Sequence, residues 1–288
     1  MAEVSELAES AVTFLRPYLP PASGPRELQH VCKDDSEGAG QPPPPAHQDE
    51  SQSAQERPFV TLTYASSLDG MISLSPGLRT TLSGPETKNV THYLRLHHDA
   101  ILIGVGTAIP DDPSLNCRYP SVSLDSQPRP VVVDPRKRFD VHGSKLAQLA
   151  VQGMGKAPWL IHAGDRKGLD ETKELAFERI YIDSDRDTTS PSVIAWPLIL
   201  RALKQKGVDS VMIEGGATII STLLCMPELV DSVIVTIAPT WLGQGGVSIA
   251  PAATVVDRER RNSATLKQTA WRQFGADAVL CGRMRLAD

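Results

Sequence analysis

Ile101-Leu102-Ile103-Gly104-Val105-Gly106-Thr107-Ala108-Ile109-Pro110-Asp111-Asp112-Pro113-Ser114-Leu115-Asn116-Cys117-Arg118 decides how the rest of the chain is read. Its first residues are a short run of β-branched and aliphatic side chains, the pattern of a buried strand. Gly104 and Gly106 then bring bare backbone to the strand's carboxyl end, where open α/β sheets bind ligands. From there to Arg118 the stretch reads as a loop stiffened by Pro110 and Pro113. It carries a hydroxyl (Thr107), two carboxylates (Asp111, Asp112) and a cation (Arg118). Taken alone, Gly-x-Gly is equally a turn with a capping Asp ahead of a helix. This density of polar chemistry on one loop is the pattern of a site rather than of a connection.

Working outward, Phe59–Ala65 alternates and is rich in β-formers, so it is expected to be the first strand of the folded region. Ser66-Ser67-Leu68-Asp69-Gly70 follows as a tight turn, in which Asp69 is either a catalytic acid or a turn cap. Ser83-Gly84-Pro85-Glu86 fits a capping box with Ser83 as N-cap, opening a helix to about His98 that buries Val90, Tyr93, Leu94 and His97. Further strands are expected at Arg129–Asp134, Trp159–His162 and Ile180–Ile182, with helices near Lys145–Val151 and Asp170–Phe177. An amphipathic helix is expected at Val193–Lys206, ending at Gly207.

Asp209–Ala217 is the second informative stretch: a strand ends in Glu214 and the pair Gly215-Gly216, and a helix over Thr218–Leu224 begins at once. Such a turn lets an anion approach backbone N–H groups at the positive end of a helix. It is neither the G-x-G-x-x-G fingerprint nor a P-loop. Asp231–Ala238 reads as a late strand. Thr269–Phe274 and Ala278–Arg285 read as a terminal pair. Alternating strands and helices of these lengths imply right-handed βαβ units and a mostly parallel sheet.

Three motifs together are specific: S-L-D-G after the first strand, G-x-G-T-x-x-x-D-D-P-x-L-x-C-R at 104–118, and M-I-E-G-G-A at 212–217. They resemble the riboflavin-biosynthesis reductases, relatives of dihydrofolate reductase, over about residues 58–288. The resemblance implies a dihydrofolate-reductase-like α/β fold, with a central mostly parallel sheet flanked by helices and an antiparallel C-terminal edge hairpin. It implies NADPH-dependent reduction of the ribosyl side chain of 2,5-diamino-6-ribosylamino-4(3H)-pyrimidinone 5′-phosphate, with NADH as the alternative cofactor. Carried over residue by residue, Glu214 and Asp111 take catalytic roles. Ala65, Thr81, Thr107, Asp111, Ile194, Gly215, Gly216, Ala217, Thr218 and Ile219 face the cofactor. Arg79, Arg95, Leu115, Arg118 and Glu214 face the substrate, the three arginines as a phosphate clamp. Without the family, Arg79 and Thr81 are exposed loop residues and Arg95 a solvated helix charge. A homodimer is implied, and the apolar strand Val233–Ile237 is compatible with one. Two other readings stay open: a pteridine reductase on the same fold, and a nucleotide-binding regulatory protein without catalysis.

Composition bounds these readings. The net charge of −5 is concentrated in residues 1–57, which hold ten acids and four bases, leaving 25 bases and 24 acids elsewhere. No clustered Lys/Arg surface marks a nucleic-acid binder, and no apolar run reaches the roughly 20 residues that span a bilayer. The start lacks a secretory pattern, and Cys32, Cys117, Cys225 and Cys281 lie too far apart for a disulfide frame or zinc site, so a cytoplasmic protein is expected. His92, His97 and His98 read as packing or surface histidines, with no metal expected. The H-x-E and P-C-x-x-C motifs of a zinc deaminase are absent, and residues 1–57 are too few and too polar to supply that domain. Within them, Val4–Tyr18 carries a helical apolar stripe ended by Pro17 and Pro20, and Pro20–Arg57 reads as a disordered segment.

Overall fold

The computed structural model describes residues 4–21, 56–164, 177–183, 194–256 and 258–286. The expected helix at Asp170–Phe177 and nearly all of the Pro20–Arg57 segment lie outside the described residues. In chain order the strands are β1 (Phe59–Ser66), β2 (Met71–Ser73), β3 (Ala100–Gly104), β4 (Arg129–Val133), β5 (Trp159–Ala163), β6 (Glu178–Ile182), β7 (Ser210–Gly215), β8 (Ser232–Ile237), β9 (Val247–Ser248), β10 (Thr254–Val256), β11 (Glu259–Arg261), β12 (Leu266–Phe274) and β13 (Asp277–Met284). The helices are α1 (Glu9–Leu15), α2 (Pro85–Leu96), α3 (Val105–Asp111), α4 (Lys145–Val151), α5 (Trp196–Gln205) and α6 (Ala217–Leu224).

Among the described residues one sheet of nine strands runs in the order β12-β13-β8-β1-β7-β3-β4-β5-β6. The strands from β8 to β6 are mutually parallel, and β13 and β12 add an antiparallel hairpin at one edge. This is the expected architecture. Successive residues of a strand point to opposite faces, and both faces of this sheet are covered. Leu62, Leu102, Val131 and Ile213 join Ile199, Leu203, Ile220 and Leu223 of α5 and α6 on one side. Ile101, Ile103, Val132 and Met212 join Val90, Leu94, Val105, Ala108 and Leu146 of α2, α3 and α4 on the other. That is why these strands read as unbroken apolar runs rather than alternating ones.

Four local expectations are corrected. The stretch after Gly104 is not a loop: α3 starts at Val105, because Val105 and Ala108, one helical turn apart, both bury under the sheet. It ends at Asp112, which takes a left-handed conformation (φ 38°). At α2 the N-cap is Gly84 rather than Ser83, with no cap from its own side chain. Asp277 of β13 instead accepts from Gly84 N–H (2.8 Å) and Thr87 Oγ1 (2.5 Å). A buried carboxylate brought by the sheet edge thus does the work assigned to a local serine. The N-terminal helix is confined to Glu9–Leu15 plus a 3₁₀ turn at Arg16–Tyr18. It still packs on the main body through buried Ala11, Leu15 and Tyr18, with the Leu7 N–H donating to Tyr119 Oη (2.9 Å). Finally, the apolar strand at Val233–Ile237 lies inside β8, paired with β1 on one side and β13 on the other, and so offers no free edge.

Candidate active site

A cavity of about 690 Å³ opens along the carboxyl ends of β1, β7, β3 and β4. These four neighbours lie where β7, late in the chain, inserts between β1 and β3. Such a reversal of strand order leaves a crevice, because the connections on its two sides diverge. The segment Ile72–Thr80 and Val247 roof the crevice, and Gly104–Thr107, Pro110 and Asp111 of α3 form one wall. Glu214 and Gly216–Ile220 form the floor, and Val133, Pro135 and Arg138 also line it.

Glu214 enters the cavity through an irregularity in the sheet. Leu102 pairs with Ile213 and Ile103 with Gly215, so β7 carries one extra residue at Glu214. A bulge of this kind re-aims a side chain. The backbone then turns sharply: Gly215 and Gly216 have φ of 86° and 109°, which side-chain-bearing residues rarely adopt. A Cβ on Gly215 would sit 2.6 Å from Ile220, and one on Gly216 would sit 2.8 Å from Thr107 Oγ1. The two hallmark motifs of the sequence therefore touch through a position where no methyl group fits. Beyond them α6 begins with Ala217, Thr218 and Ile219 on the cavity wall.

Behind Glu214 stands Arg95 of α2. Its Nε and Nη2 donate to Oε1 and Oε2, each at 2.7 Å, and its Nη1 donates to the Asn116 carbonyl at 2.9 Å. Burial disfavours the Arg95 cation, but the Glu214 charge and hydrogen bonds more than offset this, and the guanidinium is held above its ordinary range. Arg118 folds back on buried His92. Its backbone N–H donates to Nδ1 (3.0 Å), and its Nε and Nη2 lie 3.3 and 3.1 Å from Nε2. Burial, with the Arg95 and Arg118 charges, pushes His92 down to about 3, so the ring is neutral. Arg79 lines the cavity close enough to Asp111 to oppose the upward push that burial gives that carboxyl. Tyr64, also on the wall, is raised by burial to about 12 and keeps its phenolic proton.

Of the residues singled out in the sequence, the structure brings Ala65, Arg79, Thr107, Asp111, Glu214, Gly216, Ala217, Thr218 and Ile219 to this cavity. Gly215 lies directly under it. Arg95 and Arg118 do not line it: Arg95 bonds the lining residue Glu214, and Arg118 stands against His92. Leu115 (φ 46°) and Ile194 are buried in the two cores, on opposite faces of the sheet, and Thr81 is exposed beside the lining residue Thr80. Asp69 serves a turn: its carboxylate accepts from Ser67 Oγ and from the Leu242 and Gly243 N–H groups (3.1 and 2.8 Å), which hold it below the usual carboxylate range. Tyr64 and Arg138 had no motif to mark them. Arg138 had only its place just past a strand's carboxyl end, and Tyr64 only its place in the first strand. Among the described residues no cluster of metal-ligating side chains is present, and no helix is long and apolar enough to cross a membrane.

Residues 58–280 match the family model described as the RibD C-terminal domain. The chain is 39% identical over 228 residues to a 2,5-diamino-6-ribosylamino-4(3H)-pyrimidinone 5′-phosphate reductase of Saccharomyces cerevisiae, covering 79% of this chain and 87% of that one. It is 41% identical over 237 residues to the protein of the same name from Candida glabrata, covering 80% and 90%. Among solved structures it is similar to the Saccharomyces cerevisiae riboflavin biosynthesis reductase Rib7, with a TM-score of 0.69 and 30% identity over 96% of this chain and all of that one.

Proposed function

The chain belongs to the RibD C-terminal domain family, and from that premise we propose that it is a reductase of riboflavin biosynthesis. It reduces 2,5-diamino-6-ribosylamino-4(3H)-pyrimidinone 5′-phosphate to the ribitylamino product with NADPH. The observation that carries this reading is Glu214. It is bulged out of β7 onto the cavity floor, locked by Arg95 from behind, and followed at once by the Gly215-Gly216 turn into α6. One acid that meets a substrate thus stands beside one bare backbone turn that meets a cofactor.

The cavity suits a dinucleotide on its own features. Its wall carries unobstructed backbone at Gly106 and Gly216, and a Cβ added at Gly216 would strike Thr107. In the proposed arrangement the N–H groups at the start of α6 meet the pyrophosphate. Thr107 and Asp111 hydrogen-bond the nicotinamide ribose, and Ala65 faces the nicotinamide ring. A nicotinamide held there would supply the hydride that reduces C1′ of the opened, imine-level ribosyl group. Glu214 orients the ribityl hydroxyls and handles the proton that the imine nitrogen takes up. Arg79 and Arg118 meet the 5′-phosphate, each charge-assisted contact contributing roughly 1.5–3 kcal/mol. Arg95, its fork taken up by Glu214 and the Asn116 carbonyl, positions that acid rather than the phosphate, and Leu115 supports the site from the core. Residues 58–288 form the catalytic domain, working in the cytoplasm as a homodimer.

The test is oxidation of NADPH by the purified full-length chain with the ribosylaminopyrimidine phosphate, with dihydrofolate and a Glu214→Gln variant alongside. Oxidation with the phosphate alone, lost in Glu214→Gln, is expected. Oxidation with dihydrofolate instead makes the chain a pteridine reductase, and cofactor binding with no turnover of either substrate makes it a non-catalytic binder.

A further inference from the structure

The roof of the cavity is not part of the main sheet. Ile72, Ser73 and Val247 line the cavity from a separate two-stranded ribbon, β2 with β9, in which Met71 pairs with Ser248 and Ser73 with Val247. A two-stranded ribbon is marginally stable on its own, so its place over the crevice depends on what ties it down. The same segment carries Arg79. After β2 the chain turns at Ser75–Leu78, where Ser73 Oγ lies 2.8 and 2.5 Å from the Ser75 and Leu78 carbonyls. The Leu74 N–H donates to Thr80 Oγ1 at 3.1 Å and closes the turn around Arg79, which lines the cavity near Asp111.

Asp69 holds both chains that feed this ribbon. Its Oδ1 accepts from Ser67 Oγ and from the Leu242 N–H (3.1 Å), and its Oδ2 accepts from the Gly243 N–H (2.8 Å). Ser67 Oγ accepts in turn from the Met71 N–H (3.0 Å), and the Ser67 N–H donates to the Met71 carbonyl (2.9 Å). Beside them the Leu68 N–H donates to the Thr240 carbonyl at 2.8 Å. One carboxylate thus joins the start of β2 to the loop that runs into β9, just past the paired ends of β1 and β8 at Ser66 and Ile237. The two chains pack closely there: a Cβ on Gly246 would sit 3.0 Å from both Met71 Cγ and the Ser73 carbonyl oxygen.

We infer that Asp69 is a positioning residue for the substrate: by pinning the ribbon to the ends of β1 and β8, it holds Arg79 where the 5′-phosphate binds. This deepens the substrate reading given above and rests on it. Asp69 does not line the cavity, so it acts through Arg79. An arginine on a loose segment loses chain and side-chain freedom when it grips a phosphate, and a roof fixed beforehand removes much of that cost. An amide of the same shape cannot take over the pin. Whichever end of an asparagine carries the NH2 group meets a backbone N–H, of Leu242 or of Gly243, donor against donor.

The experiment is a double-mutant cycle in the full-length protein: wild type, Asp69→Asn, Arg79→Ala and the double variant. It reads kcat and KM with the ribosylaminopyrimidine phosphate, NADPH affinity by calorimetry, and amide hydrogen exchange. Asp69→Asn is expected to raise KM about 10-fold, the lower end of what a charge-assisted contact contributes. Its kcat and NADPH affinity should change less than about threefold. Exchange should quicken at the Met71, Leu242 and Gly243 amides and stay unchanged in the main sheet. Arg79→Ala should itself raise KM, and adding Asp69→Asn to it should raise KM by less than about twofold more, because the positioned group is already gone. An unchanged KM in Asp69→Asn, the same increase in both backgrounds, or loss of protection throughout the sheet overturns the assignment of Asp69 while the substrate reading stands. If Arg79→Ala leaves KM unchanged, or wild type does not turn over the phosphate, the substrate reading falls and this assignment with it.

Discussion

Arg95 and Glu214, on α2 and β7, face each other through two parallel hydrogen bonds of 2.7 Å, with side chains only 12% and 19% exposed. The pair joins a helix on one face of the sheet to the acid on the cavity floor. Removing one partner of a buried pair leaves the other charge uncompensated, which typically costs about 3–5 kcal/mol. Arg95→Ala is therefore expected to lower the urea midpoint sharply. Arg95→Lys keeps the charge but lacks the planar fork, so it should retain most stability and still lose kcat. A stable, fully active Arg95→Ala enzyme would show that the pair neither supports the fold nor positions Glu214.

The start of α2 depends on a residue almost two hundred positions away. Asp277 accepts from both Gly84 N–H and Thr87 Oγ1 and is itself buried. Asp277→Ala is expected to destabilise the protein by about 1–3 kcal/mol, whereas Ser83→Ala should change stability by less than about 0.5 kcal/mol. Chemical denaturation of both variants checks the order.

His92 makes stability fall on mild acidification. Its folded value, about 3, lies below the ordinary 6.5. Between those values the unfolded chain takes a proton that the folded chain refuses, so unfolding gains as pH drops; above 6.5 both states are neutral and the effect vanishes. The slope reaches at most about 1.4 kcal/mol per pH unit below 6.5. Denaturation midpoints measured from pH 7.5 to 5.0 should decline in wild type and decline less steeply in His92→Gln. Equal slopes would place the acid sensitivity elsewhere, for example at His162, which burial also pushes down.

Gly216→Ala tests the contact between the two motifs. The positive-φ, extended backbone there (φ 109°, ψ 146°) alone costs a side-chain-bearing residue roughly 1–3 kcal/mol, and the new methyl group would meet Thr107 Oγ1 at 2.8 Å. The variant should bind NADPH more weakly than its stability loss explains. Pairing it with Thr107→Ser, which keeps the clashing hydroxyl, should not rescue stability, whereas Thr107→Ala, which removes it, should do so in part.

Much of this architecture is legible in the sequence because its signals are local. Lys145–Val151 is a helix at the expected bounds, and the strands around Ile101, Val131, Leu160, Met212 and Ile234 fall where β-branched runs lie. The Gly215-Gly216 turn was readable because no other residue tolerates those dihedrals with Ile220 and Thr107 so near. Less legible were α3, whose Gly-x-Gly and Pro110 look like a loop, and the cap of α2, whose partner is remote in sequence.

The order of motifs, the apolar runs buried on both sides, and the concentration of polar groups at 104–118 and 212–217 were determined by the sequence itself, because backbone dihedral limits and side-chain periodicity act over a few residues. Which charges meet was decided only in the tertiary structure. Arg79, Arg95 and Arg118 look alike along the chain, yet one faces Asp111, one grips Glu214 and one leans on His92. Arg138 is one of three consecutive bases, and the Asp134 turn sets it on the cavity wall. An ion pair is set by distance and burial, and those exist only once strands far apart in sequence lie side by side.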